Sequence, residues 1–375
     1  MAGRVAGEDR DPQQEVRASA APGARLGRAD RWLLAGATGL TAVAGVLRYA
    51  TSADLAQFAV SAVTLAVLAA LVARSTDQLA QRLGPGATGV VQGALGNLPE
   101  LLFSIFALQA GLLTVVQAAL VGSVLGNVLL VLGLAFVAGG LRHGTQRFGA
   151  ERARALVLML VLAVAVVMVP TVASGPVAHH RRALSVVVAV VLLVVYGLNL
   201  VISLRVPAKE RREAGRRKGA EVGWSLPMTL LLLGAAAVAA AFVSAWFVHA
   251  LSPAISTLGI SEAFSGLVIV AVASNAVEHV VGVELAARDQ PDLAVSVILQ
   301  SPLQVLLVLM PVLVLASPVI GGPDLSFALP PALLISLALA TVVTVVVVFD
   351  GESTWTEGVA LLGLYAVVAA SFWWG

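Results

Sequence analysis

The chain has 375 residues, of which 59% are hydrophobic and only 12% are charged, with a formal net charge of +2. A soluble domain carries about 25% charged residues, so this composition excludes an ordinary water-soluble globular protein. The absence of cysteine excludes a disulfide scaffold and a thiolate metal site.

The N-terminal segment differs from the rest of the chain. Residues 1–30 are rich in Arg, Ala, Gly and Asp and show no hydrophobic period, which predicts a disordered cytoplasmic tail. The first apolar run starts at Trp32 and is long enough to cross a bilayer, unlike the short apolar region of a secretory signal. We therefore interpret 31–54 as a retained, extra first transmembrane helix.

Long apolar segments follow one another through the remainder of the chain. A helix that crosses a bilayer needs about 20 mostly apolar residues. Eleven segments are candidates: 32–49, 56–73, 87–109, 112–138, 155–173, 183–204, 225–248, 262–286, 293–317, 328–349 and 356–374. The sequence thus predicts an all-α polytopic membrane protein with about eleven transmembrane helices.

A basic loop at 205–222 divides these segments into two groups. Five spans lie in 55–204 and five more in 223–375, and because five is odd the second group enters the membrane with the opposite polarity. This is the topology of two inverted five-helix repeats. With the N-terminus in the cytoplasm, 20 of the 23 Lys and Arg are cytoplasmic, so the positive-inside rule predicts that orientation and an external C-terminus.

The second span of each group carries the same polar signature. The first group has Gly-Asn-Leu-Pro-Glu, with Asn97 and Glu100, and the second has Ser-Asn-Ala-Val-Glu-His, with Asn275 and Glu278. A spacing of three places Asn and Glu on one face of a helix. The next span of each group adds a hydroxyl and a carboxamide, listed in order as Ser123 and Asn127, then Ser301 and Gln304.

These residue types are the ones that a cation site needs. A carboxylate within the bilayer costs several kcal/mol unless it faces a partner or a polar cavity. Hard cations such as Ca²⁺ bind several oxygens, and the Gly, Ser and Pro beside the carboxylates favour broken helices with free carbonyls. Two Glu balance one divalent ion or two protons, which favours exchange over a structural hydrogen-bonding role for either carboxylate.

His279, next to Glu278, is interpreted as a proton sensor or relay, with a neutral histidine that bonds across helices as the alternative. Four other carboxylates near the ends of spans are expected to be interfacial: Asp77, Glu262, Glu284 and Glu357.

The paired motifs resemble those of the calcium/cation antiporter superfamily, in its cation/proton exchanger (CAX) branch. GNLPELLFSIFAL, from Gly96, is similar to the first signature of that branch, and SNAVEH, from Ser274, is similar to the second. Further similarity lies in VQAALVGSVLGN, from Val116, and in LLVLGLAFVAGGLRHGTQR, from Leu129. The resemblance covers roughly 55–374.

This resemblance implies a function and roles for the residues. Glu100 and Glu278 would bind Ca²⁺ at the membrane midplane, and His279 would take part in proton coupling. The ion site would be lined by six neutral polar side chains: Asn97, Asn275, Ser301, Gln304, Ser123 and Asn127. The chain departs from the family pattern at Pro99, which replaces the usual Thr, at Ser274, which replaces the usual Gly, and in the basic rather than acidic central loop.

We therefore expect a Ca²⁺/H⁺ antiporter that exports cytosolic Ca²⁺ by alternating access, with Ca²⁺ and protons as substrates, the lipid bilayer as its surroundings and no resident cofactor. The alternatives are a Na⁺/H⁺ or K⁺/H⁺ antiporter, a Na⁺/Ca²⁺ exchanger, a channel and, more remotely, an intramembrane enzyme, although the chain has no His-Glu-x-x-His motif. We expect no nucleic-acid partner and leave a homo-oligomer open. The abundance of Ala, Val, Gly and Arg, with only two Lys, favours a bacterial plasma membrane.

Overall fold

The computed structural model describes residues 26–51, 53–173, 180–204 and 223–374. Most of the predicted tail, 1–30, and the whole basic loop, 205–222, lie outside these residues. The described part is almost entirely helical, which confirms the predicted fold class.

The first half contains the extra first helix and the five spans of the first group. They are α1 (Arg28–Ala50), α2 (Asp54–Leu95), α3 (Leu98–Gln109), α4 (Leu113–Leu125), the π-helical segment π1 (Gly126–Val131), α5 (Leu132–His143), α6 (Ala150–Val172) and α7 (Arg181–Leu204).

The second half contains the remaining spans. They are α8 (Leu226–Leu258), α9 (Glu262–Phe264), π2 (Ser265–Val270), α10 (Ala271–Ser274), α11 (Ala276–Ala287), α12 (Pro291–Gln304), π3 (Val305–Leu309), α13 (Met310–Ile320), α14 (Pro331–Val348) and α15 (Trp355–Trp373). A two-residue strand β1 (Gln146–Arg147) pairs antiparallel with β2 (Glu352–Ser353).

Ten of the described helical stretches are long and apolar enough to cross a membrane, and a bent pair, Glu262–Ser274 with Ala276–Ala287, makes eleven. This agrees with the predicted number. The largest difference is α2, which runs without a break over the predicted span 56–73, the link after it and the first part of the predicted span 87–109. It contains the candidate span Asp54–Ala80, and a second candidate span starts within it at Val91. Helix α1 begins at Arg28, before the predicted boundary, because Asp30 is buried and its carboxylate accepts a bond from the Gly27 amide.

Helices of the two halves alternate with one another, so that the halves do not form separate bundles. Helix α8 lies along α2 and α3, α4 crosses π2, and α11 packs between α5 and α12. The stretch from α4 to α5 is the most buried candidate span and α1 is the least buried. The motif-bearing segments therefore meet in the interior, and the first helix lies at the periphery.

Two glycines permit a close crossing of one helix from each half. A Cβ added at Gly122 of α4 would lie 2.2 Å from the Leu267 carbonyl oxygen, and one added at Gly266 of π2 would lie 2.3 Å from the Val115 carbonyl oxygen. Such contacts are far inside van der Waals distance, so the backbones of α4 and π2 pack at a separation that only glycine allows. This crossing places Ser123, the neighbour of Gly122, near the second motif.

Candidate cation site

Each predicted motif lies at a break in a membrane helix. Helix α2 ends at Leu95 and α3 begins at Leu98, while α10 and α11 are bent by 65° on either side of Asn275. Asn97 and Asn275 precede the second helix of each pair, with φ, ψ of −94°, 20° and −105°, 15°. The two asparagines thus share one non-helical backbone conformation.

The two carboxylates also occupy matching places. Glu100 is the third residue of α3 and Glu278 is the third residue of α11. A helix N-terminus carries a partial positive charge that stabilises a carboxylate in the first turn. Pro99 is the second residue of α3, where its missing N–H has no helical partner to lose, so this departure from the family pattern is accommodated without strain.

Glu100 is buried in a cluster of hydrogen-bond donors from the other half of the chain. Its Oε1 accepts bonds from Asn275 Nδ2 at 2.5 Å and Ser274 Oγ at 3.3 Å. Asn275 Nδ2 also lies 3.0 Å from Ser123 Oγ. We call these four residues, Glu100, Ser123, Ser274 and Asn275, the Glu100 half-site. Asn275 does not cap its own helix and instead links the two halves.

A second link between the halves lies beside this cluster. Asn127 Nδ2 donates to Ser301 Oγ at 3.2 Å and to the Ser123 carbonyl at 2.9 Å. Within the described residues, Glu100 Oε2 and Asn127 Oδ1 are both buried and have no hydrogen-bond partner. An unsatisfied buried oxygen costs roughly 1–3 kcal/mol, so two such acceptors close to one carboxylate fit a position where a cation binds.

Glu278 has different surroundings. It borders a cavity of about 520 Å³ whose wall also includes Asn97, Ser301 and Gln304. Asn97 Nδ2 lies 3.4 Å from Gln304 Oε1, so the first asparagine bonds to Gln304 rather than to Glu278. We call Glu278, Asn97, Ser301 and Gln304 the Glu278 half-site. Ser301 belongs to this wall and, through Asn127, also contacts the neighbourhood of Glu100.

The two half-sites are close enough for their charges to interact. The negative charges of Glu100 and Asp77 both act on Glu278. In the described part of the chain, no three His, Cys, Asp or Glu side chains form a group that could hold a metal ion. A cation here would therefore be bound by the two carboxylates and by neutral amide and hydroxyl oxygens.

His279 faces away from the cavity that Glu278 borders. Its ring lies against Gly126 of π1, where an added Cβ would be 3.7 Å from Nε2. Among the described residues, its buried Nε2 has no hydrogen-bond partner. The ring is thus next to the segment that carries Asn127, and its role in proton coupling stays a prediction.

The structure adds features to the site that are not among the sequence predictions. Three π-helical segments, π1, π2 and π3, lie next to the polar residues, and such segments are often found at functional sites. Of the carboxylates that were expected to be interfacial, Glu284 pairs with Arg288 and Glu357 forms a capping box with Thr354. Asp77, however, borders the cavity of Glu278.

The chain is similar to known proteins over both of its halves. The family described as "Sodium/calcium exchanger protein" matches residues 54–205 and 228–374, so that each matched segment contains one motif. The chain is 34% identical over 338 residues to the Ca²⁺/H⁺ antiporter ChaA of Bacillus subtilis (strain 168), covering 88% of this chain and 95% of the relative. It is 32% identical over 340 residues to the Ca²⁺/H⁺ antiporter of Aphanothece halophytica, covering 85% and 90%.

Solved structures show the same fold. The structure of native YfkE superposes with a TM-score of 0.78 at 29% identity, covering 91% of this chain and 98% of that one. The H⁺/Ca²⁺ exchanger CAX superposes with a TM-score of 0.69 over 91% of each chain, at 16% identity.

Proposed function

Because this chain belongs to the sodium/calcium exchanger protein family, we propose that it exchanges Ca²⁺ for H⁺ across a membrane. The family is one of integral membrane transporters, as predicted, and not of enzymes. Relatives at 34% and 32% identity, each nearly full length, carry the name Ca²⁺/H⁺ antiporter, which favours this exchange over Na⁺/H⁺, K⁺/H⁺ or Na⁺/Ca²⁺ exchange.

The observation that carries the proposal is the position of Glu100 and Glu278 at two matching helix breaks that meet in the interior. When both are ionised they carry two negative charges, which balance one divalent cation. The same two carboxylates hold two protons when the cation leaves. The unpartnered oxygens of Glu100 and Asn127 support binding of Ca²⁺ beside Glu100. The amide and hydroxyl oxygens of Gln304, Asn97 and Ser301 would complete the shell from the Glu278 side.

The proposed cycle begins in the arrangement seen here. Ca²⁺ enters the cavity and meets Glu278 first, because Glu278 borders the cavity and Glu100 lies beyond it. Glu100 then exchanges its bonds to Asn275 and Ser274 for the cation, and the half-helices move so that the site opens to the other side. Protons from that side bind both carboxylates and release Ca²⁺, and the neutral site returns.

The direction of export rests on the predicted orientation. Asp77, Arg288 and Gln290 are exposed residues of the cavity wall, and Arg288 belongs to the set of basic residues that the positive-inside rule places in the cytoplasm. We therefore propose that the cavity opens to the cytoplasm of a bacterial cell and that Ca²⁺ is exported.

Transport by the purified protein, reconstituted into proteoliposomes with an acidic lumen, tests this function. An outwardly directed proton gradient should drive ⁴⁵Ca²⁺ uptake, and Ca²⁺ should dissipate the gradient. If Na⁺ or K⁺ dissipates the gradient and ⁴⁵Ca²⁺ does not accumulate, the alternative antiporter replaces this proposal. If a Na⁺ gradient but no proton gradient drives uptake, the chain is a Na⁺/Ca²⁺ exchanger.

A further inference from the structure

The exposed part of the cavity wall contains a carboxylate that the proposed exchange does not use. Asp77 of α2 is exposed and lines the same cavity as Glu278. Its negative charge acts on Glu278, so both carboxylates contribute to one negative field within the cavity. A negatively charged, partly enclosed space raises the local concentration of cations.

Two basic side chains, one close to Asp77 in the sequence and one in the same cavity wall, pair with other carboxylates. Arg74, one turn earlier on α2, pairs with the buried Asp30 at 3.3 Å. Arg288, which also lines the cavity, pairs with Glu284 on its own helical turn. Asp77 accepts a hydrogen bond from a neutral amide, since Gln92 Nε2 donates to Asp77 Oδ1 at 3.1 Å. In the described part of the chain, the charge of Asp77 is therefore not balanced by an ion pair.

A buried, unpartnered hydroxyl lies next to this carboxylate. Thr76 lines the cavity, is only 2% exposed, and its Oγ has no hydrogen-bond partner among the described residues. A threonine in a helix commonly bonds to the carbonyl four residues earlier, as Ser75 does with Leu71 at 2.7 Å. Thr76 does not, so a residue of the cavity wall carries a buried hydroxyl whose hydrogen-bonding capacity is unused among the described residues.

We propose that Asp77, Thr76 and Gln92 form a second cation site, the mouth site, which a hydrated divalent cation occupies before it reaches Glu278. The carboxylate supplies charge, the neighbouring side chains supply neutral oxygens, and water completes the shell, as is usual for Ca²⁺. The mouth site rests on the proposed function and deepens it, because it gives the exchanger a step that sets the cation affinity from the cavity side without changing the exchange step itself.

Kinetics in everted membrane vesicles test this step, since the cavity then faces the assay medium. Asp77→Asn keeps the acceptor for Gln92 and removes only the charge. We expect the KM for Ca²⁺ to rise roughly threefold to tenfold at low ionic strength, with a maximal rate within about twofold of wild type, and the difference to shrink in high salt. Thr76→Val should raise KM in the same direction by roughly twofold.

Two controls separate charge from fold. Asp77→Glu should keep KM near the wild-type value, because it restores the carboxylate. Glu151→Gln removes an exposed carboxylate at the start of α6 that does not line the cavity, and it should change neither parameter. If Asp77→Asn matches Glu151→Gln, or if it lowers the maximal rate with no change in KM, the mouth site is overturned.

Equilibrium binding decides the question even if the exchange itself is not observed. Purified protein that carries both Glu100→Gln and Glu278→Gln should retain weak ⁴⁵Ca²⁺ binding at the mouth site, and the added Asp77→Asn change should abolish it. Residual binding that survives Asp77→Asn, or no residual binding at all, contradicts the mouth site. By contrast, a wild-type protein that binds ⁴⁵Ca²⁺ but never couples it to protons contradicts the proposed function and leaves the mouth site standing.

Discussion

Glu100 and Glu278 occupy the same place in their half-helices, yet one is held by donors from the opposite half and the other borders a cavity. If the halves were arranged symmetrically, Asn97 would bond to Glu278 as Asn275 bonds to Glu100. Instead Asn97 bonds to Gln304. The Glu100 half-site is closed and the Glu278 half-site is open.

We propose that this difference lets two similar motifs serve one alternating-access site. In transporters built from repeats, access alternates when one part of the molecule moves against the other around a fixed site. In this proposal the structure represents one of two states, and the other state exchanges the surroundings of the two carboxylates. We propose that Asn97 releases Gln304 and bonds to Glu278 in that second state.

The largest effect is expected from loss of either carboxylate. Glu100→Gln and Glu278→Gln should each lower proton-driven ⁴⁵Ca²⁺ uptake at least about 100-fold, because each removes half of the charge that balances the divalent ion. Glutamine preserves the shape, so both variants should elute as folded protein in size-exclusion chromatography. Glu262→Gln, at an exposed helix start, is the control and should transport normally. Retained uptake in either site variant would remove that carboxylate from the site.

A change at the crossing of α4 and π2 should disturb the closed half-site through the backbone. Gly122→Ala places a methyl group 2.2 Å from a carbonyl oxygen, so the helices must separate and Ser123 must move away from Asn275. We expect a destabilisation of roughly 1–3 kcal/mol and a lower melting temperature by intrinsic fluorescence. Gly39→Ala, which meets no atom within 4 Å, should leave the melting temperature unchanged. Equal melting temperatures for the two variants would contradict this packing.

The two asparagines should differ in this state of the protein. Asn275→Ala removes an amide oxygen that is predicted to line the ion site, along with the contact that positions the Glu100 carboxylate. It should weaken Ca²⁺ affinity roughly tenfold, at a cost of about 1–2 kcal/mol. Asn97→Ala breaks only a long bond to Gln304, and we expect an effect of about threefold or less on the KM from the cavity side. Titration of ⁴⁵Ca²⁺ uptake in everted vesicles compares them. An equal loss in both would contradict the unequal half-sites.

The smallest effect is expected at His279, which lies beside the closed half-site and outside the cavity. If its ring takes part in proton coupling, His279→Asn should displace the pH dependence of Ca²⁺ uptake while the maximal rate falls only a fewfold. The measurement is uptake at saturating Ca²⁺ across a series of external pH values. An unchanged pH profile would assign His279 a packing role against Gly126.

The helix breaks at the site can be predicted from the sequence, because each one depends on residues that are neighbours in the chain. Glycine, proline and asparagine beside an intramembrane glutamate indicate a helix break, and both breaks occur at the predicted motifs. The unequal surroundings of Glu100 and Glu278 are not local, because Asn275, Ser274 and Gln304 reach residues more than 170 positions away. The sequence places Asp77 only near the end of a span. That it lines the cavity of Glu278 depends on how α2 packs against α11, which is also not local.

Proton release on Ca²⁺ binding tests the central claim, that Glu100 and Glu278 together bind either one Ca²⁺ or protons. Purified protein in weakly buffered detergent solution receives Ca²⁺ at a pH where the wild type transports, and a pH-sensitive dye records the release. We predict that the wild type releases protons as it binds Ca²⁺ and that Glu100→Gln and Glu278→Gln each lose this coupled release. Full proton release and unchanged Ca²⁺ affinity in either variant would contradict the account.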